Sequence, residues 1–583
     1  MHLIRFACFT LVLVSATLAV AATPGPSTMQ IALKPEPGAD GRTIESIEIS
    51  IILAGPVADP ATALLELAHV TFNVPSAAER IELIEAHDEM GSLHLFARER
   101  GEGDAARRQW FPDRPLNGEM TLRYRVAVDA ALAPRGAAPP TELRNEGGAI
   151  SGSGATFMLR PPAGAFRFRV TWDLSALGPG ATAVSSLGYQ PQEILPVEIL
   201  DSVYFMAGML GRYPADAAES GFFSAWQGDP PFDAAQLMAT AETLREGFIA
   251  FFSAERTGYG IMMRPNPVNP GGGIGLHRSF VVTFDQSTDV EELAFTLSHE
   301  MFHTFQPRLD DGGEPNTSLE QAWFNEGLAV FYQREFLLRE GLVGTEPYLR
   351  DLNVHAARYY TNALGDTPNS EVAAGFWRDT RIRTLPYDRG FLYFATVDEA
   401  LRKASGERRS LDDLTQELRA VQDRGEQLTP ARWEAVIEAE LGAAGVTALH
   451  EVLAGSSPLP SSDAFGLCFR RITRDLQRYE LGFEPAVLTE PQRIVRGLVA
   501  GSAAAQAGLR DGDQILKPVP QDAIQGDQEA QLKLQIRRDG EDFTITYRPR
   551  GETVPAWQWE RISGIPEETC RASRMTGSRP ERG

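Results

Sequence analysis

Positive charge is scarce in this sequence of 583 residues. Lys and Arg together number 55 against 78 Asp and Glu, which gives a formal net charge of -23. A chain with this balance is repelled by a phosphate backbone, so nucleic acid is excluded as a partner. Neither internal repeats nor a coiled-coil pattern is present, and hydrophobic residues make up 43% of the chain, as in ordinary soluble proteins.

Long apolar runs are missing beyond the N-terminus, so we expect no stable membrane insertion. The N-terminus itself has Arg5, then an apolar run over Phe6–Leu18, then the A-x-A site Ala19–Ala21. This order is typical of a secretory signal peptide, which we place at residues 1–21. We therefore expect an exported protein, periplasmic or secreted. A retained N-terminal anchor is the alternative.

Cysteine is also rare, with three in the whole chain. Cys8 lies in the apolar leader, which leaves Cys468 and Cys570 in the mature protein. A pair of cysteines in an exported protein suggests a disulfide, and two free thiols are the alternative.

The length predicts three or four domains. Short alternating segments between residues 29 and 174 predict an all-β sandwich, which we place at residues 27–178. Within it, "GGAISGSGA" (Gly147–Ala155) predicts a flexible loop because small residues dominate it. Long helical patterns from residue 232 to about 453 predict a mostly helical domain over residues 179–460.

The C-terminal region is β-rich again, and we place it at residues 468–570. Asp539-Gly540 between two alternating runs predicts a hairpin. The polar residues 571–583 predict a flexible tail. The whole is therefore expected to be a multidomain α+β chain.

The stretch "TLSHEMFHTFQP" has two histidines four residues apart, His299 and His303, with Glu300 after the first. Residues three and four apart share a helix face, so both imidazoles can reach one cation. A capping box of Thr288 with Glu291 is predicted to start this helix, and Pro307 to end it. Two buried histidines without metal are the alternative.

A second amphipathic pattern runs from a predicted capping box at Thr317 to Gly341 and has Glu326 in its apolar stripe. A buried carboxylate needs a partner, either a cation or, as the alternative, Arg334 on the same helix. His299, His303 and Glu326 together form a His₂Glu set, which leaves a coordination position for water, as in catalytic zinc sites. We expect one Zn²⁺ per chain.

These residues resemble a family. H-E-x-x-H followed by Asn325-Glu326-Gly327 on the next helix resembles the gluzincin metallopeptidases, and a downstream "YDRG" resembles the glycyl aminopeptidase family among them. The resemblance implies an N-terminal β domain, a thermolysin-like catalytic domain and a C-terminal PDZ domain. It also implies that Tyr387 hydrogen-bonds the oxyanion during hydrolysis.

The resemblance further implies that the glycine-rich stretch with Gly272, Gly273 and His277 forms the substrate-edge strand and loop. Aminopeptidases of the family tend to have a Glu before that His, which binds the free α-amine. Leu276 stands there instead, so the choice between aminopeptidase and endopeptidase stays open.

The segment Leu481-Gly482-Phe483 resembles the carboxylate-binding loop of PDZ domains, and Val499–Leu516 resembles their "S-x-A-x-x-A-G-L-x-x-G-D-x-I-L" stretch. Such a module binds an extended peptide at a sheet edge. A packing domain with a closed groove is the alternative.

The sequence thus predicts a zinc-dependent peptidase that acts on peptides or proteins. A metal-activated water would be the nucleophile, and Glu300 the general base. Two alternatives are a non-catalytic peptide-binding scaffold with a degenerate peptidase domain and a zinc hydrolase acting on a non-peptide amide.

Overall fold

A computed structural model describes residues 27–54, 60–71, 74–128, 141–188, 193–215, 221–266, 270–309, 317–490, 492–517, 519 and 521–574. The expected signal peptide, residues 1–21, lies outside the described residues. Across the described part of the chain, no helix combines the length and the apolar character needed to cross a bilayer.

In the described part of the N-terminal region, the strands form three larger sheets and one two-stranded sheet. Its strands are β1 (Thr28–Pro37), β2 (Ile44–Ala54), β3 (Leu65–Ala68), β4 (Val70–Thr71), β5 (Val74–Pro75), β6 (Ile81–Asp88), β7 (Gly91–Leu93), β8 (Leu95–Arg100), β9 (Arg107–Pro112), β10 (Met120–Ala127), β11 (Arg144–Glu146), β12 (Ala149–Ser153), β13 (Ala165–Trp172), β14 (Thr182–Ser185), β15 (Ile194–Pro196) and β16 (Tyr204–Gly208). The sheet orders are β15-β13-β1-β2-β10-β6-β7, β11-β12-β16-β14 and β3-β9-β8, and β4 pairs with β5.

One apolar core joins these sheets. Alternate residues of β2, such as Ile47 and Ile49, point inward, as the period of two in the sequence predicts. Leu65 of β3 and Phe205 of β16 belong to the same core. The expected division after residue 178 stays a prediction, although β14, β15 and β16 hydrogen-bond within sheets of earlier strands.

The flexible loop predicted at Gly147–Ala155 is wrong, because residues Ala149–Ser153 form the buried strand β12. The small side chains serve close packing instead of flexibility. A Cβ at Gly152 would lie 2.7 Å from the Leu143 Cα, and one at Gly154 would lie 2.2 Å from the Leu200 carbonyl oxygen.

The central region has a five-stranded sheet of order β17-β18-β19-β21-β20. Helices pack on one face of it around a second large core, and its other face packs against β14 and β16. Its elements are β17 (Leu210–Tyr213), β18 (Phe222–Gln227), α1 (Ala234–Phe252), β19 (Tyr259–Pro265), β20 (Gly273–Leu276), β21 (Ser279–Phe284), α2 (Val290–Phe305), α3 (Thr317–Glu320), α4 (Ala322–Arg339), α5 (Thr345–Tyr360), α6 (Asn369–Gly375), α7 (Thr380–Arg383), α8 (Leu385–Ser405), α9 (Leu411–Asp423) and α10 (Pro430–Leu453).

Two predicted helix starts are corrected. Asp289 caps α2 by accepting the N–H of Glu291, because the Thr288 hydroxyl instead accepts the N–H of Asp285 in the preceding turn. The second predicted helix is divided, because the chain turns at Gln321 between α3 and α4.

The C-terminal module consists of a long β22–β27 ribbon and a sheet of order β23-β24-β25-β26 around its own small core. Its elements are β22 (Phe469–Tyr479), β23 (Arg493–Ile494), α11 (Ala503–Gln506), β24 (Gln514–Ile515), α12 (Asp522–Gly526), β25 (Leu532–Arg538), β26 (Glu541–Tyr547), β27 (Arg550–Arg561) and α13 (Glu567–Ala572). The predicted hairpin is confirmed, since Asp539 and Gly540 both have positive φ between β25 and β26.

Cys468 and Cys570 form a disulfide, with Cα atoms 5.6 Å apart. The predicted loose tail does not begin at residue 571. Arg571 lies in α13, and the buried side chain of Arg574 makes an ion pair with Glu335. Residues 575–583 lie outside the described part of the chain.

The structure is therefore a mixed α+β multidomain fold, as predicted. The two helices with the sequence motifs, α2 and α4, pack against each other in the central core.

Candidate metal centre

Helix α2 presents His299 and His303 on one face, one turn apart. The two rings are perpendicular, with centroids 4.6 Å apart. Phe302 on the same helix is fully buried and stacks against Tyr332 of α4, with centroids 4.8 Å apart. This packing fixes the rotation of α2, so both imidazoles are directed toward α4.

Helix α4 brings Glu326 to the two imidazoles. The Glu326 Oε2 atom lies 3.1 Å from His299 Nε2 and 3.2 Å from His303 Nε2, and the two nitrogens are 3.1 Å apart. Two ligands of a tetrahedral zinc ion with bonds of about 2.0 Å are about 3.3 Å apart. The three atoms therefore have the spacing of one triangular face of a zinc coordination sphere, and the donor set fits this metal.

Arg334 does not neutralise Glu326, so that alternative is wrong. Its guanidinium makes an ion pair with Asp351, with Nε 2.7 Å from Oδ2. Burial alone would raise the pKa of Glu326, but the imidazoles of His303 and His299 lower it well below its ordinary value. For His299, burial opposes the charged form, and the Glu326 carboxylate outweighs it and raises the pKa.

Two glutamines orient the imidazoles. Gln333 Oε1 lies 3.0 Å from His299 Nδ1, and Gln306 contacts His303 Nδ1 at 2.8 Å through its amide nitrogen. Gln306 Oε1 is a buried atom without a partner in the described part of the chain. Turning this amide by 180° would let His303 Nδ1–H donate to that oxygen, which is what metal binding through Nε2 requires.

Sequence reasoning missed these two glutamines, although a signal was present. Gln333 lies seven residues, or two helical turns, after Glu326, and Gln306 lies three residues after His303. Both positions therefore share a helix face with a predicted ligand.

Glu300 faces the edge strand β20. Cβ atoms built at Gly273 and Gly275 would lie 3.3 Å from its Cγ and 3.4 Å from its Oε2, respectively. Glycine at these positions lets the strand run close to the carboxylate. Burial raises the pKa of Glu300, because the charged form loses solvation.

The glycine-rich stretch is brought only partly to this centre. The Gly272 carbonyl accepts the N–H of Thr283 at 2.9 Å, which fixes the strand entry next to Gly273. His277 lies past the opposite end of β20, about 13 Å along the strand from Gly273. Burial, and then the Arg278 charge, lower the pKa of His277.

Tyr387 lies in the first turn of α8, and its ring is nearly parallel to that of His299, with centroids 6.0 Å apart. Burial raises its pKa well above the ordinary value, and the Glu326 and Glu300 carboxylates add to the shift. A glycine contact brings α8 this close to α4. A Cβ at Gly327 would lie 2.5 Å from the Gly390 Cα.

Leu481, Gly482 and Phe483 lie in the C-terminal module, and the structure does not bring them to the metal centre. The side chains of Leu481 and Phe483 are buried in the module core. The Gly482 carbonyl accepts the N–H of Val499 at 2.8 Å. The chain then forms a 3₁₀ helix, Pro485–Thr489, where a PDZ domain would have a strand.

Comparison with known proteins places the fold. No family model and no curated protein matches the chain. The chain is similar to a crystal structure of an aminopeptidase N family protein from Idiomarina loihiensis, with a TM-score of 0.60 at 13% identity over 94% of this chain and 100% of that one. At this identity the likeness shows a shared fold, and the activity has to be argued from the residues.

Two further matches have TM-scores below 0.5, and we draw no conclusion from them. An M1 zinc metallopeptidase from Deinococcus radiodurans gives a TM-score of 0.42 at 16% identity, over 75% of this chain and 97% of that one. Yeast LTA4 hydrolase gives a TM-score of 0.42 at 11% identity, over 75% of this chain and 69% of that one.

Proposed function

We propose that this chain is a zinc-dependent peptidase, with zinc held by His299, His303 and Glu326. The observation that carries the proposal is the triangle of ligand atoms with edges of 3.1 to 3.2 Å. Glu300 follows His299 on the same helix, and its carboxylate interacts electrostatically with both imidazoles. When bound, zinc would lower the pKa of a water to about 7 and polarise the scissile carbonyl.

The chain's own residues supply the remaining chemistry. Glu300 takes the proton of the attacking water and passes it to the leaving amine, as a general base and then a general acid. The Tyr387 hydroxyl donates a hydrogen bond to the carbonyl oxygen as it becomes negative, an interaction that favours the transition state. Strand β20, which begins at Gly273 directly after Gly272, lies at the sheet edge beside Glu300, where an extended peptide can pair with it.

The test incubates purified mature protein with a peptide library, with and without chelator, and maps the cleaved bonds by mass spectrometry. We expect chelator-sensitive cleavage, and the cut positions distinguish an aminopeptidase from an endopeptidase. Glu300→Gln should retain zinc and lose about 10³-fold or more in kcat. Glu291→Gln, an exposed position on the same helix, is the matched control. Zinc-loaded Glu300→Gln that cleaves at the wild-type rate contradicts the mechanism.

Peptide capture by residues 468–570 stays a prediction. The loop at Leu481-Gly482-Phe483 supports it, and the 3₁₀ helix Pro485–Thr489 that follows this loop weighs against a PDZ-type groove. Peptides labelled at their N-terminus, so that the C-terminal carboxylate stays free, titrated against the chain by fluorescence anisotropy, test it.

We also propose export through residues 1–21. The Cys468–Cys570 disulfide supports this, because such bonds persist in oxidising compartments. Sequencing the N-terminus of the mature protein tests the cleavage site.

A further inference from the structure

Helix α12 of the C-terminal module contacts the short helix α7 of the central region. Asp522 Oδ1 lies 2.6 Å from Arg383 Nη2 and also accepts the hydroxyl of Thr380. Gln525, three residues further along α12, donates its amide N–H to the Thr380 hydroxyl at 2.8 Å. Gln525 is only 2% exposed, so its hydrogen bond to Thr380 is enclosed by protein, whereas the Asp522 side chain is 41% exposed.

Helix α7 leads directly into the first turn of α8, where Tyr387 lies. Thr384 joins the two helices, since its N–H donates to the Thr380 carbonyl and its own carbonyl accepts the N–H of Asp388 at 3.0 Å. Movement of Thr380 or Arg383 is therefore transmitted to the turn that carries the phenol.

A second connection reaches the same turn from α5. Arg358 Nη1 donates to the backbone carbonyl of Asp522 at 3.2 Å. The same guanidinium makes an ion pair with Asp388, with Nε 2.6 Å from Oδ2. Asp388 is the neighbour of Tyr387 and is 1% exposed. The module is thus connected to the turn by two routes, one through α7 and one through Arg358 of α5.

Packing and hydrogen bonds with helix α5 fix the position of the module at this contact. A Cβ at Gly526 would lie 2.3 Å from the Val354 carbonyl oxygen, so α12 packs on the backbone of α5. Asn353 of α5 makes two hydrogen bonds of 2.8 Å to the backbone of Trp559 in β27. These contacts determine the distance of α12 from α5 and α7.

We propose that α12 is a positioning element of the active site, with Asp522 and Gln525 holding the turn that places Tyr387 beside His299. The inference rests on the proposed peptidase function and adds a role for the module within it. In this role the module acts through the turn that carries Tyr387, independently of any peptide capture by its other surfaces.

The first test is kinetic. Asp522→Ala should lower kcat roughly tenfold or more, with KM and zinc content unchanged, because a misplaced Tyr387 affects the transition state and not substrate binding. Asp522→Asn should have a smaller effect, since its amide oxygen can still accept the Thr380 hydroxyl. Asp542→Asn is the matched control, because its ion pair with Arg537 lies within the module.

Gly526→Ala disturbs the same contact of α12 with α7 without removing a polar group. The added methyl pushes α12 away from Val354, and we expect a similar loss in kcat. If Asp522→Ala fails to fold, Asp522→Asn and Gly526→Ala decide the outcome. A kcat within twofold of wild type for zinc-loaded, folded Asp522→Asn and Gly526→Ala overturns the proposal, even where their melting temperature falls.

A double-mutant cycle separates positioning of Tyr387 from a general structural role. In a Tyr387→Phe background, Asp522→Asn and Gly526→Ala should cause no further loss in kcat, because the hydroxyl that they position is absent. An equal loss in both backgrounds overturns the proposal. Absence of chelator-sensitive cleavage by the wild type is a different result, which rejects the proposed function itself.

Discussion

Helix α4 contains two glutamates, Glu326 and Glu335, in opposite electrostatic surroundings. Glu335 is 1% exposed, and its carboxylate contacts Arg574 at 2.8 Å, Arg339 at 3.4 Å and the Tyr348 hydroxyl at 2.6 Å. Cations from the chain itself neutralise it. It is therefore a structural carboxylate within a buried ion network.

Glu326 has imidazoles where Glu335 has guanidiniums. Its side chain is 24% exposed and meets His299 and His303, which are neutral when they act as ligands. The nearest Arg on its own helix, Arg334, is directed to Asp351. A carboxylate in this setting lacks a permanent positive charge, and a divalent ion would supply one. The two sites show that the partners of a buried Glu, and not its burial, indicate its function.

The largest expected effect is a loss of folding stability on substitution of Glu335, the structural carboxylate of this comparison. Glu335→Gln should destabilise the fold by about 3–5 kcal/mol, because it leaves buried guanidiniums with too little negative charge. Zinc content of the folded protein should stay unchanged. Urea denaturation measures the loss, and Glu340→Gln, at the exposed end of the same helix, is the control. Equal stability of the two variants contradicts the structural assignment.

The sequence predicted the convergence of His299, His303 and Glu326, because helical spacing and a charged residue in an apolar stripe are local signals. It did not predict which basic residue belongs to which acid. Arg574 reaches Glu335 across 239 residues, and no periodicity encodes such a contact. The same limit explains why Arg334 was a plausible partner for Glu326.

The other features that the sequence did not predict correctly have a similar cause. The glycines of β12 have the composition of a loop, but tertiary packing makes them a buried strand. The contact of α12 with α7 joins residues 142 apart in sequence, between two helices too short to show a periodic pattern. Predictions from sequence were therefore sound for long elements and for motifs within one helix, and poor for contacts between regions.

Glu326→Gln is the corresponding substitution at the proposed metal ligand. Structural zinc sites bind the metal with a free energy of about 10–16 kcal/mol, which is about 3 kcal/mol for each of four ligands. Loss of one ligand should therefore lower the zinc affinity roughly 10²-fold. In the metal-free proteins Glu326→Gln should lose less stability than Glu335→Gln, because the imidazole partners of Glu326 can be neutral and its side chain is 24% exposed. Competition with a zinc-binding dye measures the affinity. A Glu326→Gln protein with unchanged zinc affinity removes this residue from the ligand set.

The comparison can be sharpened at Gln333, which lies between the two glutamates on α4. Its side chain joins His299 to Asp351, with contacts of 3.0 and 2.9 Å. Gln333→Leu removes the acceptor of His299 Nδ1 and should lower zinc affinity about 10- to 100-fold. Gln416→Leu, an exposed glutamine on α9, should leave it unchanged. If both variants bind zinc equally well, Gln333 does not orient the ligand.

The smallest expected effect is the acid dependence of stability. Burial would raise the pKa of Glu335, but Arg574 and Arg339 lower it from its ordinary 4.5 to about 2. Because the folded pKa lies below the unfolded value, the stabilisation is complete above about pH 4.5 and is lost as the pH falls toward 2. The slope that one such group adds is at most about 1.4 kcal/mol per pH unit.

Glu335→Gln should therefore remove part of the acid sensitivity. Its free energy of unfolding should change less steeply than that of the wild type between pH 4.5 and 3, while the difference between them stays constant from pH 5 to 7. Urea titrations of metal-free protein at each pH measure both curves, so that zinc release does not contribute. Parallel curves over the acid range would mean that the Glu335 carboxylate is not held ionised by Arg574 and Arg339, and the contrast with Glu326 would lose its electrostatic basis.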